Sequence, residues 1–399
     1  YLTIVSNDET NNRELSLERL TALTKNFSVI PDKVGGVTED TLYAFKQCVS
    51  TLATVNLKGG ESYSFTQVFA VTDNEKKIAE NIENSVKYFD STVQKAEEEK
   101  LAEKHAELFS VRTVKTGDPD FDSFVNGFLP LEMYWVSSLD RGWPTGMRGV
   151  RDAANDFEGM LCYDKQMCKG VIENIFSKQR SDGWYPRQVP FGAGTKFDLR
   201  EFVDSACFFT EYVYDYLAYT GDYSILENKY GYYDCETQES GLTHLKKGMD
   251  YLLSDDALGV HGLVKMRGGD WLDCLSGAGK KGRGESVMVS CQLVMCLKYL
   301  VEILNKVGQV NEVEKYEKAG YRLKNAINKA AFNGRFYNAV YTDNDTWLFS
   351  EKDEDGEERV YVPTNAYAVI SGVASGKENE IFNEIAKLKT SDGYKLFSK

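Results

Sequence analysis

From about Asp118 to Lys399 one pattern recurs: a stretch with helical spacing of apolar residues, then a long Gly-rich loop carrying Trp, Tyr, Arg and Asp, then another helical stretch. The stretches 120–137, 152–179, 200–219, 240–254, 286–307, 311–331 and 362–373 read as helices. Several open after an acid, Ser or Thr suited to N-capping. No strand–helix–strand alternation interrupts them. Helices joined by decorated loops bury their apolar stripes against one another, so a mainly α fold is expected. It is a toroid of helical hairpins with the loops on one face.

The N-terminal part differs. Residues 1–73 read as β, with apolar and polar residues alternating on both sides of LKGGES, where Gly59 and Gly60 suit a hairpin-type turn. The strands are too few for an independent sandwich, so this region is expected to be the tail of a larger β-sandwich domain. Residues 74–117 are charged and begin with a run free of Pro and Gly up to His105, which fits solvated linker helices. The expected division is 1–73, 74–117 and 118–399.

Composition removes several function classes. The net charge is −14 and no Lys/Arg block is long enough to track a phosphate backbone, so nucleic acid is not expected as a partner. No apolar run reaches the ~20 residues of a membrane span, and no membrane partner is expected. The first residues lack the basic and apolar segments of a secretory leader. Eight cysteines are scattered without CxxC or zinc spacing, and Cys207, Cys291 and Cys296 lie in apolar helical surroundings. That pattern reads as buried, reduced thiols in a cytoplasmic protein. Three His, none paired as HxxxH, imply no metal site. Aromatic residues at 13% supply both core and, in a cleft, rings on which a sugar can stack.

Three loops could carry chemistry. The most concentrated is Arg267 to Ser286, RGGDWLDCLSGAGKKGRGES, with six glycines and with Asp270 and Asp273 flanking Trp271. An acid beside an indole and removed from water keeps its proton toward neutral pH and can donate it. Cleavage of a glycosidic bond needs such a donor at the leaving oxygen, and Asp273 is the candidate. The bland reading is a loop carboxylate bonded to backbone amides. Glu285, at a helix start, reads as structural.

The second loop places Arg141, Arg148 and Arg151 within eleven residues, followed by Asp152, Asn155 and Asp156. Arg forks and Asp acceptors together suit sugar hydroxyls or an oxyanion, although Asp152 could simply cap its helix. The third is SDGWYPRQVP, where Trp184 and Tyr185 beside Arg187 form either a stacking wall for a sugar or a turn pinned by buried rings. The acidic run Glu351 to Arg359 reads as a solvated turn.

These residues resemble family 94 of the glycoside hydrolases, the cellobiose and chitobiose phosphorylase group, or a close sister family of β-glucan phosphorylases. GMRGVRDAANDFEGM is similar to its Gly-aromatic-Arg-Asp-x-x-Gln-Asp motif, and GGDWLDCLSGAGKKGRGESV to its GDWNDG…GESVW motif. FVDSACFFTEYVYDYLAYTGDYSIL, NGRFYNAVYTDN and PTNAYAVISGVA resemble further segments, so the likeness covers roughly 118–399. It implies an (α/α)6 barrel and inverting phosphorolysis of β-linked gluco-oligosaccharides to α-glucose 1-phosphate. Phosphate would be co-substrate and nucleophile, with no cofactor beyond it. Asp273 matches the general acid. Arg151 and Asp152 match residues that hold the sugar, with Trp271 packing near it. Asp156, Asp270 and Trp184 join them as substrate-side candidates, and Arg141 or Arg148 would bind phosphate. Leu272 and Asn155 depart from the family's Asn and Gln, which leaves the acceptor open.

The family's Asn-Gly-Gly…His segment, which supplies phosphate ligands, does not occur in this sequence. The expectation is therefore an internal piece, with the barrel incomplete at its C-terminal end. Further polypeptide would complete barrel and sandwich, and the family's frequent homodimer is implied by resemblance alone. Two other readings stay open: an inverting hydrolase on the same fold, and a non-catalytic carbohydrate-binding or scaffold subunit.

Overall fold

The computed structural model describes residues 2–6, 14–16, 50–52, 56–64, 66–71, 75–138, 147–190, 196–275 and 277–398. Two units divide the chain, Tyr1–Ala106 and Glu107–Lys399.

In the first unit β1 (Leu2–Ser6) pairs antiparallel with β4 (Gln67–Val71), and β2 (Glu14–Ser16) with β3 (Ser50–Leu52). The expected turn is present: the Glu61 amide donates to the Lys58 carbonyl at 3.1 Å, and Gly60 takes φ +86°. It does not close a hairpin, however. The strand before it joins β2 and the strand after it joins β1. α1 (Ile78–Val86) packs on β1 and β4, and α2 (Ser91–Ser110) buries none of its residues, as its weak apolar periodicity leads one to expect.

The second unit is mainly helical with small sheets. α3 (Pro119–Ser123) starts on Asp118, whose carboxylate accepts from the amides of Asp120 and Phe121, with Pro119 at the first position. A π turn, Phe124–Phe128, leads into α4 (Leu129–Ser138). The expected single helix over 152–179 is two, α5 (Val150–Met160) and α6 (Lys165–Phe176). Asp164 ends the first option by accepting from the amides of Gln166 and Met167, which starts a new helix in place of continuing the old one. Then come α7 (Ser205–Thr220), α8 (Ser224–Glu227), α9 (Gly241–Leu252), α10 (Val287–Lys306), α11 (Val313–Ala330), α12 (Val362–Ile370) and α13 (Glu378–Ala386). The last has only Ile381 and Glu384 buried, too thin a stripe to be read from periodicity.

The packing alternates. α4, α5, α7, α10 and α12 each pack on the next, while α6, α9, α11 and α13 lie against that row. α10 is the hub: fourteen of its twenty residues are buried, and Ser286 caps it by accepting from the Val289 amide. By length and composition α10 is apolar enough to cross a membrane, contrary to the expectation that no such run exists. Its apolar window is 78% buried inside the unit, where burial of each large aliphatic contributes about 1.5–3 kcal/mol. Cys168, Cys207, Cys291 and Cys296 are buried thiols, whereas Cys235 is exposed.

Where α5 meets α7, Glu158, Glu211 and Asp215 come together. Burial, then the hydrogen bond and charge of Asp215, push Glu158 up to about 8. Burial, then Asp215, push Glu211 up to about 7. A carboxyl raised in the folded state stabilises it while protonated, and that contribution disappears as pH rises through the folded value. The expected outcome is a melting temperature that falls between about pH 4.5 and pH 8, from the unfolded carboxyl value to the folded ones. Glu158→Gln should flatten this slope, and parallel thermal scans of both proteins would measure it; equal slopes would refute the assignment.

Candidate active site

The loop from Arg267 to Ser286 is zipped to the segment before α7. The Gly268 amide donates to the Glu201 carbonyl at 2.9 Å, and the Val203 amide to the Gly269 carbonyl at 3.1 Å. A Cβ on Gly268 would stand 3.0 Å from the Glu201 carbonyl oxygen, a contact against backbone tight enough to favour glycine at this approach. Further along, the Asp343 carboxylate accepts from the amides of Lys281, Arg283 and Gly284 at 2.6, 2.9 and 3.0 Å, which fixes the basic run GKKGRG. Nothing near the loop in sequence announces Asp343, a residue about sixty positions away.

Arg151, in the first turn of α5, gathers the site. Its Nη1 donates to Asp204 Oδ2 and to the Asp270 carbonyl, both at 2.8 Å, and its Nη2 donates to Asp273 Oδ1 at 2.8 Å. The second oxygen of Asp273 accepts from Arg187 Nη2 at 3.1 Å. Arg187 continues to Asp198 at 3.2 Å, which also binds Arg200 at 2.6 Å. The Phe202 ring underlies all three guanidiniums at 4.7–5.8 Å. Asp273 thus has both oxygens held, yet its side chain is 55% exposed and open to a ligand.

The two loop acids divide in an unexpected way. The carboxylate removed from water is Asp270, 3% exposed, bonded to Ser286 Oγ at 2.6 Å and to the Leu272 amide at 3.0 Å. Burial, foremost, raises it to about 6. Its carboxylate points inward, and it serves the site through its carbonyl on Arg151. The sequence-based expectation of a sequestered acid beside the indole therefore describes Asp270, while Asp273 stands in the open beside Trp271, itself 38% exposed.

Other candidates fall in different places. Arg148 and Asp156 form a buried pair at 2.6 Å, with Arg148 over the Phe157 ring. Asp152 folds back on the helix start so closely that a Cβ on Gly149 would meet its Oδ2 at 1.9 Å. Trp184 is not a stacking wall: it is 3% exposed, and its indole N–H donates to the Phe202 carbonyl at 3.1 Å. The alternative reading of that loop, a turn pinned by buried rings, describes it. Arg141 lies outside the described residues, as does Trp143. Glu285 is fully buried and accepts from the amides of His261 and Leu263, the structural role expected of it.

Asp204, Asp198 and Arg200 were missed. Asp204 stands where a helix cap belongs, but its carboxylate makes no cap bond and turns to Arg151 instead. The available signal was three acids and an arginine, FDLREFVD, just before an apolar helix.

What this arrangement offers is a half-exposed carboxylate set by two guanidiniums, with cationic donors at hand for an anionic co-reactant. Residues 105–397 match the family profile described as "Glycosyl hydrolase 94 superfamily, catalytic domain". Among characterised proteins, the chain is 25% identical over 286 residues to 3-O-β-D-glucopyranosyl-β-D-glucuronide phosphorylase of Paenibacillus borealis, covering 71% of this chain and 36% of that one. It is 26% identical over 359 residues to solabiose phosphorylase of the same organism, covering 86% and 43%. It is 24% identical over 292 residues to cellobionic acid phosphorylase of Neurospora crassa, covering 71% and 36%. The chain thus spans 36–43% of the length of these relatives.

Asp204 is fully buried, and Arg151 is its one ion-pair partner among the described residues. Burial raises its pKa against the opposing pull of Arg151. Removing one partner of a buried pair leaves an uncompensated charge. Arg151→Ala should destabilise the second unit by ~3–5 kcal/mol, and adding Asp204→Asn should recover part of that loss. Urea unfolding of the three proteins measures both; a loss under about 1 kcal/mol would mean the pair does not organise the site.

Proposed function

The chain belongs to the glycosyl hydrolase 94 superfamily, whose catalytic-domain profile it matches over residues 105–397, and on that premise we propose that it performs inverting phosphorolysis of β-linked gluco-oligosaccharides. The products are α-glucose 1-phosphate and the shortened saccharide. The observation that carries this reading is the Asp273 carboxylate, half exposed and bonded at each oxygen to a guanidinium. The names of the relatives above support the reaction class, as does N,N'-diacetylchitobiose phosphorylase of Vibrio proteolyticus, 23% identical over 300 residues.

A phosphate oxygen attacks the anomeric carbon from the face opposite the leaving group, and the glycosidic C–O bond breaks. Asp273, once one of its oxygens has left its guanidinium and taken a proton from solvent, gives that proton to the departing oxygen, and inversion gives the α-phosphate ester. Phosphate is itself the nucleophile, so no second carboxylate is required to activate water. To reach the glycosidic oxygen, one Asp273 oxygen must leave its arginine. The Arg187 bond is the longer, at 3.1 Å against 2.8 Å for Arg151. An incoming phosphate dianion competes for the same guanidinium, which would couple its arrival to release of Asp273. Arg151 and Asp152 hold the sugar beside it, with Trp271 as the accessible ring. Arg141 remains the phosphate candidate; Arg148, buried against Asp156, would act by supporting that loop.

The row of α4, α5, α7, α10 and α12 backed by a second layer supports an (α/α)6 toroid. In this reading further polypeptide closes it, the strands of residues 1–73 belong to a β-sandwich, residues 74–117 link the two, and the assembly pairs as a homodimer.

The test is an assay of the purified chain, with any polypeptide that co-purifies, on β-linked gluco-oligosaccharides of several linkages with and without phosphate. Phosphate-dependent formation of α-glucose 1-phosphate is expected. Asp273→Asn should lower it by about 10²–10⁴-fold while sugar binding persists. Free glucose released without phosphate would convert the reading to a hydrolase, with a carboxylate base about 6.5–9.5 Å from Asp273.

A further inference from the structure

Between the segment before α7 and the glycine-rich loop lies a cavity of roughly 560 Å³ whose walls include Arg200, Lys265, Arg267, Lys280, Glu201 and Asp256. Its size is that of a small-ligand site. Phe202, the ring beneath Arg151, Arg187 and Arg200, lines it too, and Gly268 brings in the loop that carries Asp273. The cavity and the carboxylate cluster therefore share a wall.

Its charge is unbalanced in a chain whose net charge is −14. Both acids are engaged by one residue: Arg267 donates to Glu201 at 3.2 Å and to Asp256 at 2.5 Å. Lys265 donates to the Asp256 carbonyl at 2.9 Å and makes no ion pair within 4 Å among the described residues, and Lys280 is exposed with none either. Arg200 is held by Asp198 through Nε and Nη2, which leaves Nη1 for another acceptor.

The backbone is strained to achieve this. The Gly269 amide closes a turn on the Met266 carbonyl, and Arg267 occupies it at φ +46°, a left-handed conformation that favours glycine. The neighbouring position is already Gly268. Strain held in a non-glycine residue beside a cleft is a sign of function, because the surrounding structure must over-determine it. Here it aims a guanidinium that binds both acids, while Lys280 has no ion pair among the described residues.

We propose that this cavity is a subsite for a saccharide bearing an anionic group, a carboxylate or a phosphate ester, held by Lys265, Lys280 and Arg200. The inference rests on the phosphorolysis reading: the charged sugar is the residue on the leaving side, released when phosphate takes the glucosyl unit. Arg267 is a positioning residue that binds the Glu201 and Asp256 carboxylates.

Binding of gluconate, glucose 6-phosphate, inorganic phosphate and glucose to the full chain, followed by calorimetry at two salt concentrations, tests this without requiring turnover. The expected result is at least tenfold tighter binding of gluconate or glucose 6-phosphate than of glucose, with the preference weakening as salt rises. Lys265→Ala/Lys280→Ala should remove the preference, and Lys265→Arg/Lys280→Arg should retain it. Which anionic sugar binds better separates the carboxylate from the phosphate ester. Equal affinity for gluconate, glucose 6-phosphate and glucose, or an unchanged preference in the double alanine variant, would overturn the proposal. Inorganic phosphate binding as tightly as glucose 6-phosphate, and lost in the same variant, would reduce the cavity to a phosphate site and sink the saccharide. Phosphorolysis of neutral oligosaccharides without any charge preference would remove the subsite and leave the reaction standing.

Discussion

One guanidinium connects the parts of the catalytic unit that sequence keeps far apart. Arg151 enters from the first turn of α5, Asp204 from the start of α7, and Asp270 and Asp273 from the long glycine-rich loop. Asp204 is fully buried, and a carboxylate there is costly unless a cation of fixed geometry meets it. The planar fork of arginine meets it with one nitrogen and still presents another to Asp273, a division of labour a lysine ammonium cannot reproduce. The loop conformation thus depends on neutralising a charge buried between helices. The same guanidinium that lets Asp204 be buried holds the Asp273 carboxylate that faces outward.

The helical architecture was largely legible because amphipathic spacing is a property of neighbours in sequence. α7, α9, α10 and α11 lie within a few residues of where periodicity places them. The errors have local causes. Asp164 splits one expected helix by capping the next. α13 was invisible because it buries so little. The turn at Gly59–Gly60 was readable, but the strands it joins pair with β1 and β2, and sequence near a turn does not determine partners that distant.

The site was legible in its residue types more than in their roles. Clustered Arg, Asp and Trp in three loops pointed to stretches that the structure brings together, with Arg151 and Arg187 both meeting Asp273. Which acid is buried could not be read, because burial of Asp270 is decided by Ser286 and by the zip between residues 201–203 and 268–269. Trp184 shows the same limit from the other side: a ring near an arginine looks the same in sequence whether it faces a ligand or the Phe202 carbonyl. Asp204 was hidden by resembling an ordinary cap. A residue in a capping position that declines the cap bond is a sign that another partner has claimed it, and that sign exists only in coordinates.

The two acids of the loop show why their spacing matters. Asp270 and Asp273 are three residues apart and separated by Trp271 and Leu272, so a single turn of backbone can point them in opposite directions. The inward one, raised to about 6 by burial, is fixed to Ser286, the residue that caps the central helix α10. The outward one is fixed to the two arginines. The outward carboxylate is thereby referenced to the most buried helix of the unit through one short segment. Positional precision at an exposed group needs such an anchor, since loop backbone alone does not supply it. The short 3₁₀ turn Asp273–Leu275 carries the chain onward from the outward acid, and the Asp343 carboxylate holds the basic run that follows. The glycines let the segment approach neighbouring backbone closely enough for both anchors to act. A loop this rich in glycine would ordinarily be mobile, and here its freedom is used to reach three rigid partners: the start of α7, the cap of α10 and Asp343.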